Sequence, residues 1–234
     1  MSSTILQIIQ DVCGEIGLTA PTTAVQSSDP QIKQFVALAN RVGRDLVKAF
    51  TWQALNTQYT FSTTAGIGTY ALPVDYERIS PQTEWDRTNH WPLLGPKTAA
   101  EWAFLQGGIV ATGPRMRFRI LKGQVNLFPL PGGAYTVAFE YVSNAWVLSA
   151  GQYFQRFQAD TDTCLFDDVL MVAAIKLRWL EAKGFDSSAA ADAYDRALSL
   201  CMSQDQDAPV LAVSRRQSPL LISPSNLPES NYGL

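Results

Sequence analysis

Between Gln158 and Met171 the sequence reads QADTDTCLFDDVLM, with Asp160, Asp162, Asp167 and Asp168 inside nine positions. Carboxylates this close together suit three roles: oxygen ligation of calcium, paired acid–base work, or neutralising the start of a helix. An EF-hand loop needs alternating acids, a glycine at its sixth position and a bidentate acid at its twelfth. Counted from Asp160, those two places hold Leu165 and Met171, so the match fails where it matters. Asp167 and Asp168 fall instead in the first turn of an apolar-periodic segment, where carboxylates offset unpaired amides and the positive end of the helix dipole. Asp162 or Thr163 is available as the cap. The cluster therefore reads as a helix start made by Asp162, Thr163, Asp167 and Asp168, with no metal.

The rest of the chain offers little catalytic chemistry. His90 is the only histidine, with no second residue at a metal-ligand spacing, and no G-x-S-x-G elbow exists for a serine nucleophile. The glycine-rich GGIVATG lacks the Lys-Ser/Thr pair of a phosphate loop and the spacing of a dinucleotide fingerprint. No cofactor is implied. Any chain with 21 acids contains candidate pairs for glycoside hydrolysis, and nothing local marks one. The aromatic region of Trp85, His90, Trp91 and Trp102 supports one further alternative, a glycan or cell-surface binding module, against the plainer expectation that these rings pack on a neighbouring element.

These residues must be positioned by a chain of 234 residues, long enough to bury a real core, with 47% hydrophobic and only 17% charged residues. A net charge of −3 gives no electrostatic grip on nucleic acid. Asp11 and Glu15 interrupt the first apolar stretch, which does not read as a signal peptide, and no apolar run approaches a membrane span. Three widely spaced cysteines indicate neither a disulfide framework nor a zinc site. The expectation is a soluble protein made in a reducing cytoplasm.

Helical spacing covers residues 4–17 and then 30–50, the second opening on Asp29 as cap and Pro30 at the first helical position. From residue 55 to 147 the period changes to that of short strands, with a short helix near Thr98. In RMRFRI, Arg115, Arg117 and Arg119 alternate with apolar residues, which predicts a strand with its arginines facing solvent. Helical spacing returns after Asp167, with Val169, Leu170, Ala173, Leu177 and Leu180 predicted to face inward and Gly184 to end the helix. A second helix follows at once, as in an antiparallel hairpin. The last segment carries Pro209, Pro219, Pro224 and Pro228 and has no folding period. The expected fold class is α+β: an antiparallel α-helical bundle (1–54 and 148–205), an inserted small antiparallel β domain (55–147) and an extended C-terminal tail (206–234).

Several stretches together resemble the head-to-tail adaptor, or head-completion, proteins of short-tailed bacteriophages. They are FTWQALNTQYTF, GTYALPVDYERI around Tyr70, Leu72, Pro73, Asp75 and Arg78, FRILKGQVNLFPLP, FEYVSNAWV, and FQADTDTCLFDDVLMVAAIKLRWLEAKG with Lys176, Arg178 and Trp179. The resemblance covers roughly residues 30–205. It implies a virion structural protein at the portal–tail junction, forming a ring of twelve copies on the portal protein and contacting the tail nozzle and tail fibre or spike proteins. DNA would pass through the ring without sequence-specific binding, and no membrane is involved. Some relatives have been credited with peptidoglycan hydrolysis, which leaves a cell-wall glycosidase as an alternative without assignable residues. In this setting the tail would be a docking strap, disordered until it meets the portal. Its portal-binding residues would be Pro209, Val210, Leu211, Arg215, Arg216, Leu220, Leu221 and Ile222, with extended backbone pairing along the partner.

Overall fold

The computed structural model describes residues 3–108 and 115–205. Two helices come first, α1 (Ile5–Glu15) and α2 (Pro30–Ala49), followed by a 3-10 turn (Gln53–Leu55). Strands β1 (Asn56–Ser62), β2 (Thr69–Ala71), β3 (Tyr76–Ile79), β4 (Trp85–Asp86) and β5 (Trp91–Pro92) lead to α3 (Ala99–Gln106). Then come β6 (Arg117–Leu121), β7 (Gln124–Phe128), β8 (Thr136–Ser143), β9 (Val147–Ser149), β10 (Gln152–Phe154) and β11 (Thr163–Cys164). Helices α4 (Asp168–Lys183) and α5 (Ser188–Asp205) complete the described chain.

Local chemistry explains the helix ends. Thr4 and Gln7 form a reciprocal capping box at α1, Thr98 and Glu101 form another at α3, and Asp29 with Pro30 opens α2. Gly184 ends α4 at φ 72°, a left-handed conformation that glycine takes without strain.

Among the described residues, all strand pairs are antiparallel and form three sheets. The largest runs β1-β8-β4-β5 with β3 also on β8; the others are β10-β9-β11 and β2-β7-β6. The first and third sheets bury Phe118, Val125, Leu127, Val137, Phe139 and Tyr141 between them.

The helices do not make the expected bundle. Helix α4 packs against α1, α2 and α5, but the core it shares with α1 and α2 is completed by Trp146, Val147, Phe157, Cys164 and Phe166, from strands and loops. Large rings from irregular segments occupy the space that further helices would take in a bundle, so the architecture is mixed α+β with three small antiparallel sheets. The inward face predicted for α4 also shifts. Val169 is 68% exposed, while Leu170, Met171, Val172, Ala174, Ile175, Leu177 and Trp179 are buried. A helix flanked by three others buries more than one stripe, and its apolar residues run nearly all round.

Trp146 is the centre of this core. It is completely buried, meets the Phe157 ring edge-on at 5.0 Å and lies 5.7 Å from the Phe166 ring. Its indole rests on Gly43 of α2, so closely that a Cβ on that glycine would come within 2.1–2.3 Å of three ring atoms. Arg78 of β3 ties the large sheet to α2. Its Nη1 donates to the Val47 carbonyl at 2.9 Å and its Nη2 to the Phe50 carbonyl, serving acceptors that a helix C-terminus leaves open.

Candidate functional site

The acidic loop is a junction between distant parts of the chain. The Asp160 carboxylate accepts from the Ala24 and Val25 amides at 3.1 and 2.6 Å, fixing the connection between α1 and α2. Asp162, 1% exposed, accepts from the Gln158 and Ala159 amides at 2.6 and 2.8 Å, and its carbonyl accepts from the Ile5 amide at 2.8 Å. Asp167 is the N-cap of α4 and accepts from the Leu170 amide. Asp168 accepts from both the amide and the hydroxyl of Ser3, 165 residues away in sequence.

This arrangement corrects the reading of the helix start. The cap is Asp167, and Asp168 sits in the first turn. Asp162 closes its own loop, and Thr163 lies in β11, paired with Leu148 and bridged to Thr4. The physical reason is that the chain makes a further strand before it turns helical, which moves the start of α4 beyond reach of Asp162. All four carboxylates hold backbone amides, and among the described residues no group of three His, Cys, Asp or Glu side chains converges to hold a metal. Adding calcium or a chelator is therefore expected to move the melting temperature by less than about 1 °C. A rise that grows with calcium concentration, followed by calorimetry, would contradict this.

The tryptophan region divides. Trp102 is buried beneath α3 against the Phe128 ring. Trp85 is half-buried and forms a wall common to two open clefts. The first, about 570 Å³, also takes in His90 with Gln58, Thr83, Asp86, Arg87, Ala138 and Glu140. Trp91 stands on the adjacent strand, outside the lining of either cleft. Among the three arginines of RMRFRI, Arg117 is not on an open face: its Nη1 is buried, on the side of the sheet that Trp102 covers.

The second cleft, about 430 Å³, holds two carboxyls with opposite tendencies. Burial pushes the Glu84 carboxyl up, whereas hydrogen bonds from Thr98 and Lys97 hold Glu101 down. Such a split marks many acid–base pairs. Here the Glu101 oxygens are occupied by Thr98 and Lys97 as the capping box of α3, and Glu84 Oε1 is shut away from solvent. Glu101 is thus employed in holding the start of α3, while the Glu84 carboxyl accepts from backbone amides of its own segment, residues 82–84.

The residues that carried the adaptor resemblance do similar work. Asp75 accepts from Tyr141 Oη at 2.9 Å and from Ser143 Oγ at 2.6 Å; burial, with the Asp75 contact second, pushes the Tyr141 hydroxyl well above its ordinary range. Lys176 pairs with Glu15 of α1, and Arg178 with Asp45 of α2. Sequence reasoning found the charges but not these partners, which become neighbours only through the packing of α4. The tail residues Pro209, Val210, Leu211, Arg215, Arg216, Leu220, Leu221 and Ile222 lie outside the described residues.

The family model described as SU10 adaptor protein matches residues 3–220, and the chain belongs to that family. No curated protein matches it. Membership agrees with the phage head-to-tail adaptor resemblance and makes the protein a structural part of the virion. No described helix is long and apolar enough to cross a membrane.

Proposed function

We propose that the protein docks on the portal ring, lengthens the DNA channel and offers the surface to which the tail nozzle and tail fibres attach. The observation that carries this reading is the adaptor family match over nearly the whole chain, residues 3–220. A net charge of −3 supports it, since a conduit works best when it does not hold the DNA it conducts. The ring has twelve copies in this reading, and residues 209–222 form the strap along the portal. Rim charges such as Arg215 and Arg216 add specificity more than affinity.

Electron microscopy of the purified protein mixed with portal rings tests the proposal directly. The expected result is added density on one end of the portal, absent when residues 206–234 are deleted. The protein alone is expected to sediment as a monomer, because its sequence has no heptads to drive self-association. A stable ring formed without portal, or full docking by the truncated chain, would count against the template and strap parts respectively.

A further inference from the structure

The larger cleft beside Trp85 has no part in the adaptor reading, yet it is built like a binding site. Its floor is the outer face of the large sheet. Register places Gln58 opposite Glu140 and Trp85 opposite Ala138. The intervening residues Tyr59, Phe139 and Tyr141 turn the other way and join the core. Ala138 is the small central residue, so the space between the Gln58–Glu140 pair and the Trp85 indole stays open.

The far wall is a turn held in one conformation. Asp86, 4% exposed, accepts from the Thr88 amide, the Asn89 amide and Asn89 Nδ2 at 3.0, 3.1 and 2.7 Å. The turn is further tied to β8 through Arg87 N to the Thr136 carbonyl and Thr136 N to Thr88 Oγ1, both at 2.8 Å. His90 takes φ 58°, an uncommon conformation for a residue with a side chain. The turn thus presents Arg87 and His90 from a fixed frame. Among the described residues, the side chains of Gln58, Arg87, His90 and Glu140 engage no hydrogen-bond or ion-pair partner, though all four line the same cleft.

We propose that this cleft binds a carbohydrate, with a pyranose ring stacked on Trp85 and its hydroxyls shared among Gln58, Arg87, His90 and Glu140. Three features select this chemistry. The volume lies within the range of about 300–1,000 Å³ usual for small-molecule sites. An indole face accepts the apolar C–H face of a sugar while keeping a polar edge for water. The polar groups mix donors and acceptors: Glu140 only accepts when ionised, Arg87 only donates, and Gln58 and His90 do both. A hydroxyl also does both, so a polyol satisfies the whole set. An arginine side chain from a partner protein would meet Arg87 as a like charge, and a phosphate would meet Glu140 and Asp86. The proposal is independent of portal docking and stands or falls on its own test.

Full-length protein is titrated with methyl glycosides of glucose, galactose, mannose and N-acetylglucosamine, and with tetrasaccharides of the same sugars. Binding is followed by saturation-transfer NMR and tryptophan fluorescence. The expected result is saturable binding of at least one methyl glycoside with Kd in the low millimolar range, roughly 1–10 mM. Tighter binding of its tetrasaccharide identifies a polysaccharide chain as the source, whereas equal binding identifies a free sugar. Trp85→Ala and Glu140→Gln are each expected to weaken binding about tenfold or more, while Trp91→Ala leaves it unchanged. Should Trp85→Ala fail to fold, Glu140→Gln carries the test, with its melting temperature as the control. Absence of binding at about 50 mM of every saccharide overturns the proposal. So does binding that Glu140→Gln leaves intact, or saturable binding of N-acetylarginine amide with none of the sugars.

Discussion

Trp146→Ala is expected to destabilise the protein by about 3–5 kcal/mol, the range for removing a completely buried aromatic side chain. The more discriminating result concerns its neighbour. Gly43 lies in the interior of α2, where alanine is normally preferred by about 1 kcal/mol. A Cβ there would reach within 2.1–2.3 Å of the Trp146 ring, and overpacking of that kind costs about 1–3 kcal/mol. Gly43→Ala should therefore destabilise the native protein, although it improves the helix. With Trp146→Ala already present the clash is gone, and the same Gly43→Ala should now stabilise. Urea unfolding of the two single variants and the double variant measures this change of sign. A Gly43→Ala effect of the same sign in both backgrounds would show that the indole does not set the constraint.

Asp162→Ala should carry the second large effect, about 2 kcal/mol. Its carboxylate is buried and holds the Gln158 and Ala159 amides; truncation leaves those donors without their charged acceptor. Asp162→Asn keeps an acceptor oxygen and should lose roughly half as much. Thr163→Ala should stay within about 0.5 kcal/mol, because Thr163 caps nothing. Asp167→Ala should lose about 1 kcal/mol as an N-cap. Hydrogen exchange at Ile5, whose amide donates to the Asp162 carbonyl, should quicken in Asp162→Ala, since the loop that presents this acceptor is loosened. Equal losses at Asp162 and Thr163 would overturn this division of roles.

The helix signals that rest on one or two adjacent residues were legible in the sequence. Asp29 with Pro30, the segment beginning near Thr98, and Gly184 each mark a boundary through bonds made within one turn. Which face of α4 is buried was not legible, because residues 169–175 are apolar throughout and the neighbouring helices choose among them. The bundle expectation failed for a related reason. Phe157 and Phe166 fill the helical core from a stretch with no period, so nothing in the pattern announced them. The cleft beside Trp85 was half legible. Trp85 and His90 stood out by type, but Gln58 and Glu140 meet only through the register of β1 with β8, which local sequence does not encode.

The Ser3–Asp168 contact has a consequence for the order in which the molecule is made. The apolar side of α1, with Ile5, Ile8, Ile9 and Val12 completely buried, belongs to a core that includes Leu170, Met171 and Ile175 of α4. Some 165 residues separate Ser3 from the carboxylate that anchors it. At synthesis rates of about 5–20 residues per second, roughly 8–30 seconds pass before that anchor is translated. Throughout that interval the isoleucines of α1 have no α4 to rest on, and a helix of eleven residues is too short to persist alone in water. The β segment, whose paired strands are translated in between, can close earlier. Helix α1, translated well before α4, is thus among the last of the described elements to find its place.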